Sequence, residues 1–191
     1  MVMKEMQNMD ESLKEERVCL FSKNAKKVKR LFRSAFPAVE KIPFWILRLF
    51  SLRRGIDFLS FSGGGVFVGF TYLVSYKKTT FVLYLATDDS LRGKGYGSRI
   101  LSFIKDKKPG QRIVLNIEPL DDKAPNAEQR RKRLAFYEKN GFAETGYVVR
   151  DSSASYDALC CGSSFDPDEY GRLLSRLALH LAPQKVEKKE N

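Results

Sequence analysis

Hydrophobic and polar positions change period several times along this chain, and each change predicts an element. After a polar start of mixed charge, read as a loose or frayed segment, residues 18–21 form a short first strand. Val28, Leu31, Phe32, Ala35 and Phe36 then recur at helical spacing, with Ser22 as the expected N-cap and Pro37 as the stop. A second helix opens at Pro43, closes near Gly55 and carries Phe44, Trp45, Leu47 and Phe50. From there the period is that of strands: 56–62, a Gly63-Gly64-Gly65 turn, 66–76, a Lys77-Lys78 turn, and 81–87. Links this short predict antiparallel hairpins.

The next stretch reads as strand, glycine-rich turn, helix. Asp88, Asp89 and Ser90 end the strand, and Gly97, Ile100, Leu101 and Ile104 give the helix its apolar face. Pro109-Gly110 turns into a strand over 112–118, in which Ile113, Leu115 and Ile117 alternate with Val114, Asn116 and Glu118. Strand, helix and strand at this length predict a right-handed parallel crossover. A loop over 119–126 leads to a helix over 128–140 with Gly141 as its C′ residue. Strands at 142–149 and 156–161 follow, joined by a turn. Asp166, Pro167 and Glu169 make a capping-box start for a last helix with Leu173, Leu174, Leu177, Ala178 and Leu181 on its apolar stripe. Residues 184–191 read as a disordered charged tail, and 1–183 as a single domain with its core over 56–161.

Composition narrows the partners. The formal net charge of +11 points to a polyanion: nucleic acid, an acidic surface or a phosphate-rich cofactor. Three cysteines, two of them adjacent, and one histidine make neither a disulfide framework nor a metal site, so a cytoplasmic protein without a metal is expected. The longest apolar stretch, 44–52, is broken by Arg48 and is too short to span a bilayer, so no membrane partner is expected. His180 reads as a surface residue, and no nucleophile role is assigned to Cys160 or Cys161.

The chemistry gathers in the strand-to-helix turn. Arg92-Gly93-Lys94-Gly95-Tyr96-Gly97 places glycine at alternate positions before a helix, so backbone N–H groups are free to face an anion at the positive end of the helix dipole. Arg92, Lys94 and Arg99 add mobile positive charge. Neither the G-x-G-x-x-G dinucleotide pattern nor the G-x-x-x-x-G-K-S/T phosphate loop is present, although Glu118 lies about twenty residues on, where the first would want an acid.

A second segment decides. Arg92-x-x-Gly95-x-Gly97 is followed, across one crossover, by Phe136-Tyr137-Glu138-Lys139-Asn140-Gly141-Phe142. The pair resembles the GNAT family of acetyl-CoA-dependent N-acetyltransferases, in which R/Q-x-x-G-x-G/A binds the CoA pyrophosphate and a Y-x-K-x-G-F segment comes after it. The resemblance covers residues 56–161. It implies a mixed α+β fold: a mostly antiparallel sheet of about six to seven strands, splayed after the fourth, with helices on both faces and a C-terminal helix. It also implies that the backbone of Leu85, Ala86 and Thr87 pairs with the pantetheine arm. Arg92, Gly93, Lys94, Gly95, Tyr96, Gly97 and Ser98 would hold the pyrophosphate. Tyr137 would stand near the CoA sulfur as the acid that returns a proton to the thiolate.

Two positions depart from the family pattern. Many members have an Asn seven residues before the tyrosine and a small Ala three residues after that Asn; here these are Arg130 and Arg133. Arg130 is therefore expected to meet the cofactor's phosphates in place of the neutral hydrogen bond. Glu118, at a strand end, is the candidate base for the amine, with Asn116 on its face to orient water or the acceptor. Phe44 and Trp45 are expected to help bind a small-molecule or peptide amine. The other readings are a basic nucleic-acid-binding module using residues 23–33 and 130–133, and a catalytically silent CoA-binding sensor. A monomer or a homodimer is expected, and nucleic acid is the less favoured partner.

Overall fold

The computed structural model describes residues 13–19, 22–38, 41–150, 154–178 and 184–189. Among them are eight strands: β1 (Lys14–Arg17), β2 (Ile56–Gly63), β3 (Val66–Tyr76), β4 (Thr79–Thr87), β5 (Arg112–Ile117), β6 (Ala143–Arg150), β7 (Ser155–Cys161) and β8 (Lys185–Lys188). Five α-helices accompany them: α1 (Ala25–Ala35), α2 (Phe44–Phe50), α3 (Tyr96–Lys107), α4 (Ala127–Lys139) and α5 (Pro167–Ala178). The strands make one sheet in the order β1-β2-β3-β4-β5-β7-β6-β8. The β4–β5 ladder is parallel, Thr79↔Arg112 to Phe81↔Val114, as the crossover predicts. The ladders β1–β2, β5–β7, β6–β7 and β6–β8 are antiparallel. The backbone gathers into two compact units, Met1–Leu73 with Tyr84–Phe103, and Val74–Leu83 with Ile104–Asn191.

The first unit is built on aromatic rings. Phe32 meets Tyr84 edge-on at 5.0 Å, Phe36 meets Tyr84 at 4.9 Å, and Phe58 meets Tyr72 at 5.1 Å. Such contacts add about 0.5–1.5 kcal/mol each to the area they bury. The two core phenols also find backbone partners. Tyr84 accepts from the Ile42 amide at 3.2 Å, and Tyr72 donates to the Leu47 carbonyl at 3.3 Å, tying β3 and β4 to α2 and the segment before it. Burial pushes the Tyr72 hydroxyl far above its ordinary pKa.

Three expectations for this unit need correction. The first strand is Lys14–Arg17 rather than 18–21: polar KEER pairs with β2 at the sheet edge, where charged side chains are at home. Val18 lies just after it, buried, and residues 20 and 21 fall outside the described residues. The N-cap of α1 is Asn24, not Ser22. Its amide group does not cap the helix but donates to Glu16 Oε2 at 3.2 Å and Ser60 Oγ at 3.4 Å, so it joins α1 to β1 and β2. Gly63 belongs to β2, leaving Gly64 and Gly65, both at positive φ, to make the turn.

In the second unit, half of the predicted capping box is present. Asp166 Oδ1 accepts from the Glu169 amide at 2.9 Å, but Glu169 does not reach back. Its Oε1 instead accepts from the Lys78 amide at 3.0 Å, the Thr79 hydroxyl at 2.6 Å and Arg112 Nη1 at 3.2 Å. One carboxylate thereby holds the start of α5 to the starts of both parallel strands. Phe81 packs edge-on to Tyr170 of α5 at 5.5 Å.

The segment read as a disordered tail supplies β8, which with β1 makes the count eight instead of six to seven. Val186 sits opposite Val149, the Lys189 amide donates to the Gly146 carbonyl at 2.8 Å, and the Lys189 ammonium lies 2.9 Å from the buried Asp157 carboxylate. That pairing raises the lysine's pKa. His180, Leu181 and residues 151–153 lie outside the described residues, as does the side chain of Ala178.

Glu169→Ala leaves the largely buried Arg112 with Asp166, at 3.8 Å, as its remaining carboxylate beside the Ser164 carbonyl, at 2.6 Å from Nε, and strips the Lys78 amide of its acceptor. A loss of about 2 kcal/mol in chemical denaturation is expected, with Glu169→Gln losing less because an acceptor oxygen remains.

Candidate active site

The glycine turn lies wholly in the first unit. Asp88 Oδ1 accepts from the Ser90 amide at 3.1 Å and starts a single 3-10 turn, Asp89–Leu91. These bonds hold the Asp88 carboxyl below its ordinary pKa. The chain then passes Gly93 at φ +77° and Gly95 at φ +76°, a conformation that only glycine adopts cheaply, before α3 begins at Tyr96. A Cβ at either glycine would meet nothing within 4 Å, so the turn is open, not packed. The first backbone bond into α3 is Arg99 N–H to the Gly95 carbonyl, at 3.1 Å. The amides of Gly95, Tyr96, Gly97 and Ser98 have no acceptor among the described residues. Arg92 is paired with Asp89 at 2.7 Å on the exposed surface, and Arg99 stacks on the Tyr96 ring at 5.4 Å. Open amides, a helix N-terminus and no acid in the first turn fit the diphosphate of CoA.

The end of β4, where Leu85, Ala86 and Thr87 lie, is shaped by a glycine that the sequence reading passed over. A Cβ on Gly69 of β3 would stand 2.3 Å from the Ala86 carbonyl oxygen and 3.0 Å from Thr87 Cα. The Asp88 amide donates to the Val68 carbonyl at 2.8 Å just beyond. An isolated glycine inside an aromatic and β-branched strand was the available signal. Gly63 plays a related part: the Tyr96 ring lies 3.2 Å from where its Cβ would be.

Tyr137 belongs to the second unit, on α4. The helix ends in a Schellman motif, with Phe142 N–H on the Tyr137 carbonyl at 3.1 Å and Gly141 N–H on the Glu138 carbonyl at 2.8 Å, made possible by Gly141 at φ +78°. This return folds Phe142 back, so that the half-buried Tyr137 ring sits edge-on to Phe136 at 5.2 Å and to Phe142 at 5.7 Å. The hydroxyl has no hydrogen-bond partner among the described residues. Burial raises its pKa, with the Arg133 guanidinium working weakly the other way.

The remaining candidates of this unit are occupied by one another. Glu118 accepts from Arg133 Nη1 at 2.7 Å and from Asn126 Nδ2 at 3.2 Å, and pairs with Arg130 Nη2 at 3.3 Å. Arg130 spends its other donors on Asn126 Oδ1 and the Pro119 carbonyl, both at 2.8 Å. Arg130, expected to meet a phosphate, and Glu118, expected as the base, are thus paired with each other in the folded chain. The reason is local: Arg at 130 and 133 puts two guanidinium groups one helical turn apart, both within reach of the acid that follows β5. Asn116 is also engaged, accepting from the buried Tyr170 hydroxyl at 2.9 Å. Of the expected acceptor-binding residues in the first unit, Phe44 and Trp45 line a groove of about 580 Å³ along α1 and α2, where Trp45 is 67% exposed.

Gly69→Ala is expected to lower stability by about 2 kcal/mol, because the clash is with backbone that cannot swing aside; thermal unfolding checks it. Gly93→Ala meets no atom and should lose only the roughly 1 kcal/mol of its left-handed conformation.

Comparison with known proteins places this arrangement. Residues 56–144 match the family model described as "Acetyltransferase (GNAT) domain". Among solved structures, a putative GNAT-family acetyltransferase from Bacteroides thetaiotaomicron superposes with a TM-score of 0.67 at 19% identity, over 88% of this chain and 98% of that one. An aminoglycoside 6′-N-acetyltransferase complexed with coenzyme A gives 0.58 at 15% identity, over 77% and 95%. Arabidopsis thaliana Naa50, in complex with the bisubstrate analogue CoA-Ac-MVNAL, gives 0.56 at 19% identity, over 81% and 99%. No curated protein matches the chain by sequence. The open amides of α3 fall inside the segment, residues 56–144, that is similar to the GNAT acetyltransferase domain.

Proposed function

We propose that the chain is a cytoplasmic N-acetyltransferase that moves an acetyl group from acetyl-CoA to a primary amine by direct attack, with no acyl-enzyme. The observation that carries this reading is the run of amides at the start of α3 left without acceptors behind Gly93 and Gly95. Those amides hold the diphosphate, assisted by Arg92 and Lys94, and the backbone of Leu85, Ala86 and Thr87 takes the pantetheine arm. Bound acetyl-CoA supplies an acetyl group already activated as a thioester.

The chain's own part in the transfer is to deliver a proton. As the amine nitrogen bonds to the acetyl carbon and the C–S bond breaks, Tyr137 gives its phenolic proton to the sulfur. The proton lost by the amine nitrogen restores the phenol through solvent, so charge and atoms balance. A raised pKa suits this role, since the phenol is fully protonated at neutral pH. Glu118 acts as a positioning residue that fixes β5 to α4 through Arg130 and Arg133, since its oxygens are already engaged. The acceptor is a small-molecule or peptide amine. An aminoglycoside acetyltransferase and a peptide-bisubstrate complex among the structural neighbours support that range.

Calorimetry with acetyl-CoA should show saturable binding, and an amine panel read by release of free CoA thiol should show turnover. No heat at millimolar acetyl-CoA removes the proposal, while binding without turnover across the panel favours the silent sensor. Tyr137→Phe should cut kcat by about 10²-fold with little change in acetyl-CoA affinity. The alkaline limb of kcat, which reports loss of the acid, should lie above pH 10 in the native protein and vanish in the variant.

Glu118→Gln should lower the unfolding temperature, because two guanidinium groups lose their counter-charge, yet leave the shape of the pH profile intact. Loss of the acidic limb of kcat in Glu118→Gln would instead make Glu118 the base.

A further inference from the structure

We infer that the groove along α1 and α2 is a docking site for an acidic polypeptide segment with apolar anchors. This inference does not rest on the acyl-transfer reading. The groove, of about 580 Å³, has a floor of Phe32, Ile42, Pro43 and Phe44 and a wall at Trp45. Its rim is cationic: Lys26, Lys29, Arg33, Lys41 and Arg48, with no acidic side chain among the lining residues. Lys26, Lys29 and Arg33 stand at i, i+3 and i+7 on α1, so they share one face, and all three are exposed. None of the three has an acidic partner among the described residues. Lys41 and Arg48 spend donors on the Arg33 and Cys19 carbonyls instead, which leaves their charge uncancelled.

The apolar side of the surface is equally unmet. Trp45, Leu49 and Leu52 follow at i, i+4 and i+7 and are 67%, 53% and 67% exposed. Three large apolar side chains on one face of so short a segment mark an interaction surface rather than scattered exposure. The occupant must therefore bring carboxylates for the rim and aliphatic or aromatic side chains for Trp45 and its neighbours. A nucleic acid would satisfy the rim but not the leucines, which give bases no flat face. Phe32 is only 3% exposed, so Trp45 is the one ring well presented for stacking, where single-strand binders use several. A polypeptide meets both demands.

Trp45 is the only tryptophan, so its fluorescence reports the groove directly. The probe is a short N-acetylated peptide alternating glutamate and leucine, which carries no amine acceptor. It is run against a glutamine–leucine version, an oligothymidylate and vesicles containing phosphatidylserine. A saturable blue shift with the glutamate–leucine peptide is expected, and a much smaller one with the other three. Reversing the rim (Lys26→Glu, Lys29→Glu, Arg33→Glu) should weaken the peptide by at least about tenfold while acetyl-CoA binding, read by calorimetry, stays unchanged. Unchanged acetyl-CoA binding also shows that the variant is folded. No shift with the peptide, equal affinity for the glutamine version, tighter binding of oligothymidylate or vesicles, or indifference to the charge reversal would each overturn the inference. Peptide binding by a protein that fails to bind acetyl-CoA would leave this inference standing and remove the proposed function.

Discussion

A helix that starts without a cap has donors to spare, and the first unit is arranged so that those at the head of α3 stay spare. Gly95, which precedes the helix, has no side chain to fold back on the amides, and no acid occupies the first turn. Helix α5 of the same chain does the opposite. Asp166 accepts from its Glu169 amide, and Asp168 and Glu169 sit in its first turn. Two helices of twelve residues, with opposite treatment of the same exposed amides, make the open end of α3 a feature of the sequence and not a general looseness. An unoccupied N-terminus in water loses little, since solvent serves the amides. It gains from a diphosphate because the dipole and several N–H groups act on one ligand together.

Everything around that turn keeps it in place without filling it. Gly69 lets β3 approach the end of β4 more closely than any side chain would allow, and the Val68 carbonyl catches the Asp88 amide as the strand ends. The Tyr96 ring is laid over Gly63, and Arg99 over the ring. Charge is sorted in the same spirit. The cations of the chain divide into those already matched, such as Arg130 and Arg133 on Glu118, and those left unmatched on the exposed face of α1. Summed charge alone pointed to a polyanion; only the pairing shows which arginines are free to meet one.

Local periodicity made most of the fold legible. β3 is where the aromatic and β-branched run put it, and α3 and α4 begin within a residue of their predicted starts, because glycine and apolar spacing act over a few positions. What was missed is held by distant partners. KEER at β1 and KVEK at β8 carry no strand signal of their own and become strands by pairing with β2 and β6. Asn24 leaves its own helix uncapped to reach Glu16 and Ser60, and Glu169 leaves its capping box to reach Arg112. At the candidate site the glycines were readable, since positive φ is written in residue type. The state of Glu118 was not, since it depends on two arginines brought back by a helix.

The same distinction separates the half-buried Tyr137 from the core tyrosines. Tyr72 gives its hydroxyl proton to the Leu47 carbonyl, Tyr84 accepts from the Ile42 amide, and Tyr170 donates to Asn116. Each of these hydroxyls closes a gap between elements, which is what a phenol within a core must do to offset its desolvation. Tyr137 has its ring gripped by Phe136 and Phe142 and its backbone carbonyl used in the helix stop, yet its hydroxyl serves no such structural bond among the described residues. Packing explains the ring; it does not explain the oxygen. A phenylalanine would fill the same space, so the hydroxyl is the part of this side chain that the fold does not use. Under the proposed function, a sulfur that must leave as a thiol is the partner for that oxygen.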